Sequence, residues 1–348
     1  MSTKPLRACC FLTLTISLLV ANYLFADVAT LKRIAEAERD VAYIGLRLKT
    51  SSTSRGVRTM EEIVIHRTAE DAYRKVESVI GEQKSFVKEN ESDKKQDDKT
   101  KERDDRRRSR EFRWARQGSQ FSPKEIELIA QNYELELRRW GEKIAGYETD
   151  LLIIKPKNTG RPTKHIYFAR KNSVILRGED LDPSGVLREM FVYTRISFDP
   201  KSVETKWKSL REKIKPEPRS YHPVSHAEAE KVLKKKPIKP QYLPPGFQLQ
   251  SLYKHKIRSR NSIRLKYTDG LLDFNLFEMT GKIPSRGDRN REENVIQIGD
   301  TSVQRYQRGS THAFTWSSGD VHFFLYGPMS VTELQKVVES IIHKANQK

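Results

Sequence analysis

Two histidine pairs in this sequence have spacings that could build a metal site. His222 and His226 lie four residues apart, the spacing that places two imidazoles on one face of a helix. Pro223 lies between them, in a segment rich in proline and lysine, where a regular helix is disfavoured. We therefore interpret this pair as two solvated side chains of a loop.

The second histidine pair lies near the end of the chain, in two neighbouring predicted strands. If residues 317–320 form the turn between the strands, His312 lies opposite Leu325 and His322 opposite Thr315. The two imidazoles then point to opposite faces of the sheet and cannot bind one metal ion. His312 falls on an apolar face, which favours a core histidine with satisfied hydrogen bonds.

The sequence contains none of the common short motifs that mark a catalytic or nucleotide-binding site. His-Glu-x-x-His, Gly-x-Ser-x-Gly, Walker and dinucleotide-binding patterns are missing. Both cysteines, Cys9 and Cys10, fall within the first 26 residues, so a chain without them has no disulfide, thiol nucleophile or thiolate ligand. We therefore expect a protein that is not an enzyme and has no catalytic residue, metal or cofactor.

The amino terminus predicts export from the cytoplasm. Lys4 and Arg7 precede an apolar stretch that ends at the small residue Ala26, as in a signal peptide cleaved after that alanine. An uncleaved anchor is the alternative, but the run from Phe11 to Ala21 is shorter than the roughly 20 residues that a membrane span needs. An exported chain without disulfides fits the bacterial periplasm.

The charge of the chain favours anionic partners. The 348 residues carry a formal net charge of +19, and removal of Lys4 and Arg7 subtracts two to leave +17. In the periplasm such a protein meets lipid phosphates, lipopolysaccharide or acidic proteins. Because no nucleic-acid-binding motif is present, we expect no nucleic acid partner.

Two segments are rich in charge. Residues 88–111 hold ten basic and nine acidic side chains and no apolar one, which predicts a disordered surface insertion. A salt-sensitive docking arm centred on Arg106, Arg107 and Arg108 is the alternative. Residues 208–241 are rich in proline and lysine and predict an inter-domain linker with at most one short helix around His226–Leu233.

The predicted linker supplies candidate ligands for anionic groups such as phosphates. These candidates share a positive charge and a position between two folded parts: Arg219, Lys234, Lys235 and Lys236. The alternative is that their charge only keeps the linker soluble.

The remaining sequence predicts helices and antiparallel strands. "YELELRRW" and "ETDLLIIKP" flank Ala145 and Gly146 and predict a hairpin, and further short strands follow after short turns, which only antiparallel strands allow. Ser122 and Glu125 form a capping box before a helix, and Ser330 begins a second one after the strands beyond the linker. The fold class is therefore α+β.

A strongly curved antiparallel sheet with helices at its mouth can enclose an apolar cavity, and such a cavity suits acyl chains. An ordinary core against the helices is the alternative. The candidate lining residues are apolar side chains of three predicted strands: Leu46, Leu48, Ile63, Ile65, Ile166 and Phe168.

Residues 132–198 contain the motifs "NYELEL", "IAGYETDLLIIKP", "GRP" and "FVYTRISF" in this order. Their types and order resemble those of the periplasmic sigma-E regulatory proteins of the RseB/MucB family. "AERDVAYIGLRLKT" and "IVIHR" are similar to the family's opening strands. "YLPPGFQLQS" and "LKYTDGLLDFNLFEM" are similar to strands of its second domain, so the likeness spans most of residues 27–348.

The resemblance implies a layout and a role. The layout is a curved antiparallel half-barrel with helices, like the lipoprotein carriers LolA and LppX, over residues 27–207, and a smaller α+β domain over residues 242–348. The role is to bind the periplasmic part of an anti-sigma factor, shield it from proteolysis and release it when lipid or lipopolysaccharide binds. Because lipid and lipoprotein carriers share the barrel, a periplasmic carrier is the alternative. A homo-oligomer stays open, and the insertion at 88–111 departs from the family pattern.

Overall fold

The computed structural model describes residues 27–53, 56–68, 72–84, 121–211, 222–257, 260–280, 294–308 and 311–346. The predicted leader, the insertion at 88–111 and Arg219 lie outside these residues. The described chain forms two eight-stranded antiparallel sheets with helices packed on them, which confirms the predicted α+β class. Among the described helices, none is long and apolar enough to cross a membrane.

The first sheet has the strand order β3-β2-β1-β8-β7-β6-β5-β4. Strand β4 also contacts β8, although three strands separate the two in the sheet, so the sheet curls strongly. It stays open because β3 and β4 are its edges, and this confirms the predicted curved half-barrel. The strands are β1 (Tyr43–Thr53), β2 (Gly56–His66), β3 (Ala72–Lys84), β4 (Tyr133–Ile144), β5 (Tyr147–Pro156), β6 (Thr163–Ala169), β7 (Ile175–Leu181) and β8 (Leu187–Ser197).

The hairpin predicted around Ala145 and Gly146 joins β4 to β5. These two residues have φ of 50° and 88°, the left-handed conformation that a two-residue hairpin loop needs at both positions. Ile144 pairs with Tyr147 directly beside the loop, and the two strands stay antiparallel to Pro156. The hairpin is therefore the start of the predicted meander from β4 to β8.

Strand β5 is buried on both faces, which explains its apolar run without alternation. Leu152 and Ile154 belong to a core that includes side chains of helix α1 (residues 27–40) and helix α2 (Pro123–Asn132). Leu151 and Ile153 belong to a second core with Tyr43 and Tyr193. Burying each large apolar side chain contributes about 1.5–3 kcal/mol relative to leaving it exposed, so this strand anchors the first sheet.

Helix α2 begins where its capping box was predicted. The backbone N–H of Glu125 donates to Ser122 Oγ over 3.3 Å, and the Glu125 carboxylate accepts the backbone N–H of Ser122 over 2.8 Å. Pro123 is the first helical residue, where its missing N–H costs nothing. A third helix, α3 (Pro200–Arg211), packs Val203 and Trp207 against the first sheet.

The second sheet has the strand order β13-β14-β15-β16-β12-β11-β10-β9. Helix α4 (His226–Leu233) and helix α5 (Val331–Asn346) bury apolar side chains in the core on this sheet. The strands are β9 (His222–Val224), β10 (Gln248–Ile257), β11 (Arg260–Thr268), β12 (Asp273–Thr280), β13 (Val295–Ile298), β14 (Thr301–Arg308), β15 (Thr311–Ser318) and β16 (Val321–Gly327). We call the first sheet with α1–α3 the first unit, and the second sheet with α4 and α5 the second unit.

Part of the segment predicted as a linker packs into the second unit. Strand β9 pairs with β10, and α4 buries Ala229 and Leu233 in the second core. At its other end, α3 of the first unit continues to Arg211. Among the described residues the second unit therefore starts at His222, whereas the sequence placed its start at Tyr242.

Candidate functional site

The two units meet at a buried carboxylate, Asp269, in the turn between β11 and β12. Its Oδ2 accepts the hydroxyl of Tyr133 over 2.8 Å and Nη1 of Arg161 over 2.9 Å, both from the first unit. Its Oδ1 accepts the backbone N–H groups of Leu271 over 3.0 Å and Leu272 over 2.8 Å. One side chain thus stabilises its own turn and binds the other unit.

Arg161 lies in the loop between β5 and β6 and its side chain is fully buried. The guanidinium also donates to the carbonyl of Pro245 and lies over the ring of Phe247, with 5.1 Å from Cζ to the ring centroid. Burial and the neighbouring Asp269 carboxylate raise the pKa of Tyr133, so its hydroxyl stays protonated and donates. The fork of Arg161 can therefore satisfy two acceptors of the second unit in one fixed orientation.

Further polar contacts surround this ion pair. Asn132 Nδ2 donates to the carbonyls of Gly246 over 3.2 Å and of Asp269 over 3.0 Å. Gln250 Nε2 donates to Glu125 Oε1 over 2.7 Å, so the capping glutamate of α2 also binds the second unit. We call this set the joint; it consists of Glu125, Asn132, Tyr133, Arg161, Pro245, Gly246, Gln250, Asp269 and Gly270.

Two glycines allow the units to approach closely. A Cβ on Gly270 would lie 2.7 Å from both the carbonyl oxygen of Glu125 and the backbone nitrogen of Ile129. A Cβ on Gly246 would lie 2.0 Å from Asn132 Oδ1. Both glycines have positive φ, +102° and +80°, which also disfavours other residues. The joint therefore fits one arrangement of the two backbones.

A second buried ion pair lies within the first unit. Arg47 of β1 contacts Glu62 of β2 through Nε at 2.9 Å and Nη2 at 2.8 Å, and both side chains are almost fully buried. Cζ of Arg47 lies 4.7 Å from the ring centroid of Phe191 on β8. These contacts tie three neighbouring strands, β2, β1 and β8, to one another.

A buried carboxyl of α1 lies close to this pair. Burial raises the pKa of Glu38 to about 7, although the N–H of Ile175 and the charge of Arg47 act in the opposite direction. Tyr43 stacks on His66 with 5.0 Å between ring centroids, and His66 Nδ1 lies 2.8 Å from the carbonyl oxygen of Val41. The carboxyl end of α1 is thus fixed to the sheet by polar groups.

The second unit buries one carboxyl in its core without a cation at hydrogen-bond distance. Glu278 Oε1 accepts the backbone N–H of Ile238 over 2.8 Å, and Oε2 has no hydrogen-bond partner. Burial raises the pKa of Glu278 to about 8, and the positive charge of Lys235 opposes the shift. The contact with Ile238 attaches the segment that follows α4 to the core.

The predicted lipid-lining residues fall into two groups. Leu46 pairs with Ile63 across β1 and β2, so Leu46, Leu48, Ile63 and Ile65 share one face of this strand pair. Ile65 packs there against Val203 and Trp207 of α3. Ile166 and Phe168 lie instead in the core under α1 and α2. The structure therefore places four of the candidates on one face of the β1–β2 pair and the other two in the core under α1 and α2.

The predicted anion-binding lysines lie at the carboxyl end of α4. Lys234 ends the helix in the left-handed conformation, and Lys235 Nζ lies 3.2 Å from Asp320 Oδ1. Lys234 and Lys236 are exposed. Sequence reasoning missed two cations of α5 beside the following segment: Lys344 Nζ donates to the carbonyl of Lys239 over 3.1 Å, and Lys336 lies over Tyr242.

The predicted register of the last hairpin is wrong by two residues. Gly319 and Asp320 form the turn, so Ser318 pairs with Val321 and His322 with Ser317. His312 and His322 still lie on opposite faces, because Ser317, which shares a face with His322, is an odd number of residues from His312. Nε2 of His322 lies 2.8 Å from Thr315 Oγ1, and Nδ1 lies 2.9 Å from Ser317 Oγ. Burial lowers the pKa of His322, which favours the neutral ring in these two hydrogen bonds.

The described residues contain no group of three or more His, Cys, Asp or Glu that could hold a metal ion.

The sequence did not predict the joint, although two of its residues lie in motifs that were noted above. Arg161 is the arginine of "GRP" and Asp269 the aspartate of "YTDG". Glycine beside a charged residue in both motifs is the signal that indicates close backbone approach.

Comparison with known proteins gives one family and one set of similar structures. A family model described as the MucB/RseB N-terminal domain matches residues 27–214. The complex structure of Pseudomonas aeruginosa MucA/MucB shares 17% identity, covers 90% of this chain and 98% of that chain, and has a TM-score of 0.50. Crystal structures of MucB in complex with MucA(peri) and of MucB each share 15% identity over 90% of this chain and 97% of those chains, with TM-scores of 0.48 and 0.45. No curated protein sequence matches the chain significantly.

Proposed function

Because the chain belongs to the MucB/RseB family, we propose that it is a periplasmic, non-enzymatic regulator that binds the periplasmic part of an anti-sigma factor. The observation that carries this proposal is the family match over residues 27–214. The similarity to a MucB that was solved with MucA extends over 90% of the chain and adds the second unit. In this function the protein shields its partner from proteolysis while it is bound.

The arrangement of the two units supports a binding role. The joint holds two open antiparallel sheets in one orientation, and each sheet has two edge strands. Extended partner segments bind sheet edges through main-chain hydrogen bonds, so a linear periplasmic segment is a suitable ligand for such a frame. Fixing the frame beforehand lowers the entropy cost of binding a flexible segment.

The second part of the proposal is release of the partner by a lipidic anion. The cations at the end of α4 and on α5 support it, because Lys234 and Lys236 are exposed and Lys336 and Lys344 lie beside the same segment. A lipid releases the partner only through its different affinity for the bound and unbound states, about 1.4 kcal/mol for each tenfold shift. A carrier of lipid or lipoprotein is the alternative function, because the same half-barrel is found in carriers.

Crosslinking in intact native cells tests the partner. The protein is purified under denaturing conditions after crosslinking, and the covalently attached proteins are identified by mass spectrometry. We expect an inner-membrane protein with one span and a cytoplasmic sigma-binding domain. Recovery of lipoproteins or lipid alone would reject the regulator and leave the carrier.

Flotation with vesicles tests the lipid part separately. The variant K234E/K235E/K236E should lose binding to vesicles that contain anionic lipid, while K171E/K201E/K208E, with the same change in net charge at exposed lysines of the first unit, should keep it. If both variants lose binding equally, net charge explains the loss and these lysines are rejected as the site. If both variants keep binding, the lysines are rejected as well.

A further inference from the structure

We infer that the joint is a reversible latch, closed by Arg161 and Asp269, and that the closed state is the one that binds the partner segment. The second half of this inference rests on the proposed function, whereas the first half concerns the two units alone. In the structure the latch is closed, since Arg161 and Asp269 are in contact.

The chemistry of the joint makes opening inexpensive. The side chains of Arg161 and Asp269 are both fully buried, and taking two charges out of water costs much of what their attraction returns. Arg161 Nε and Gln250 Oε1 are buried and have no hydrogen-bond partner among the residues that the structure describes. Opening returns all these groups to water, which offsets the contacts that are lost.

The apolar part of the contact is small. In the described part of the chain, Leu271 is the second-unit side chain that packs against the core under α1 and α2. Each unit keeps its own core when the joint opens, because the remaining core residues of the two units belong to separate clusters. The units can therefore separate without unfolding.

The geometry of the joint favours two discrete states. Arg161 must reach Asp269 and the carbonyl of Pro245 together, and at Gly246 and Gly270 the units approach so closely that a Cβ would not fit. A displacement of the units therefore breaks several contacts at once. A contact of this kind is either engaged or lost, as a latch requires.

The joint also offers a way to measure its closed population. A Cβ at Gly246 would lie 2.5 Å from Cγ of Asn132, one bond from Asn132 Cβ, so cysteines at these positions are close enough to form a disulfide. With Cys9 and Cys10 replaced by serine, N132C/G246C holds the only cysteines of the chain. This pair lacks the two hydrogen bonds of Asn132 and adds a side chain at Gly246, so disulfide rates are compared only between variants in the N132C/G246C background. Within that background, a slower rate means that the joint is closed less often.

The test combines this crosslink with the variant D269N. Asparagine keeps the size of the side chain and the carbonyl oxygen that accepts from Leu271 and Leu272, but its amide nitrogen cannot accept from Tyr133 or Arg161. D320N is the matched control, because Asp320 forms an exposed ion pair with Lys235 and lies beside the other end of β12. Small-angle scattering measures the separation of the units in each variant.

We expect D269N to slow disulfide formation at least tenfold, to increase the radius of gyration and to weaken binding of a labelled anti-sigma periplasmic segment at least tenfold. Oxidised N132C/G246C should restore the affinity of D269N, and D320N should match the wild type. Unchanged crosslinking and scattering in D269N would overturn the latch. If D269N still binds weakly when the oxidised N132C/G246C disulfide holds the joint closed, the closed state is not the one that binds the partner segment.

Failure of the proposed function and failure of the latch give different results. If the wild type does not bind the segment at all, the proposed function fails, while crosslinking and scattering still decide whether the latch exists. If D269N does not fold, as judged by circular dichroism, R161K takes its place, since lysine keeps the charge but cannot reach Asp269 and Pro245 together. The same shifts in crosslinking and scattering are expected for R161K, and their absence would overturn the latch.

Discussion

Arg47–Glu62 and Arg161–Asp269 have the same chemistry and opposite consequences. Both pair a buried guanidinium with a buried carboxylate at hydrogen-bond distance. The first joins residues 15 positions apart on neighbouring strands, and the second joins residues 108 positions apart in two units. The first pair can reach water only when the sheet unfolds, whereas the second can reach water when the units separate. The location of a buried ion pair thus decides whether it supports folding or sets an orientation.

The largest expected effect comes from removing the cation inside the sheet. R47M removes the guanidinium that contacts Glu62 and opens no route to water for the buried carboxylate. We expect the free energy of unfolding of the first unit to fall by about 3–5 kcal/mol. Denaturant unfolding, followed by the fluorescence of tryptophan in the first unit, measures the loss. The double variant R47M/E62L should recover a large part of it.

The same substitution at the joint should cost less. R161M removes the cation from Asp269, but the joint can open and let the carboxylate reach water. We expect a loss of about 1–2 kcal/mol, within the usual range of single substitutions, together with separation of the units in small-angle scattering. If R161M destabilised the first unit as much as R47M and left the scattering unchanged, the contrast between the two pairs would be lost.

The buried carboxyl of Glu278, in the core of the second unit, extends the comparison because its contribution to stability depends on pH. Because burial raises the pKa of Glu278 to about 8, the folded chain keeps this proton at pH values where the unfolded chain, near 4.5, has lost it. Stability must therefore fall as pH rises from about 4.5 to about 8, by an amount on the order of a few kcal/mol. Glutamine does not titrate, so E278Q should be more stable than the wild type at pH 8 and similar at pH 4.

Urea unfolding across that pH range measures the effect of E278Q. The variant keeps a weaker dependence, because Glu38, whose pKa is about 7, acts in the same direction. E230Q on the exposed face of α4 is the control and should follow the wild-type curve. Parallel curves for E278Q and the wild type would show that Glu278 is already ionised in the folded chain.

The smallest expected effect concerns two capping boxes of equal design. S122A and S225A each remove a hydroxyl that caps a helix, and each should lower stability by about 1 kcal/mol. Only the glutamate of the first box also binds the second unit, through Gln250. S122A should therefore also lower the closed population of the joint and slow disulfide formation in N132C/G246C, and S225A should not.

The sequence predicted features that are set by neighbours along the chain. The hairpin at Ala145 and Gly146, the capping box at Ser122 and the antiparallel meander depend on local turn and cap chemistry, and all are confirmed. The register of the last hairpin was missed although Gly319 and Asp320 are a typical two-residue turn, because four residues were assigned to the loop.

Features set by tertiary packing were not predictable in this way. Charge and proline favoured a linker over residues 208–241, yet Ala229 and Leu233 of α4 are buried in the second core. The partner of Arg161 depends on how two separately cored units meet, and a single sequence holds no information on that pairing. The same reason separated Ile63 and Ile65, which pack with α3, from Ile166 and Phe168, which lie in the core under α1 and α2.

Binding of the periplasmic part of an anti-sigma factor is tested most directly by isothermal titration. The purified wild-type protein is titrated with the periplasmic part of the single-span protein that the crosslinking experiment identifies. We expect saturable binding with a fixed stoichiometry, and an affinity at least tenfold weaker for D269N. The absence of binding heat at any concentration, with retention of lipid or lipoprotein by the same preparation, would contradict the regulator function.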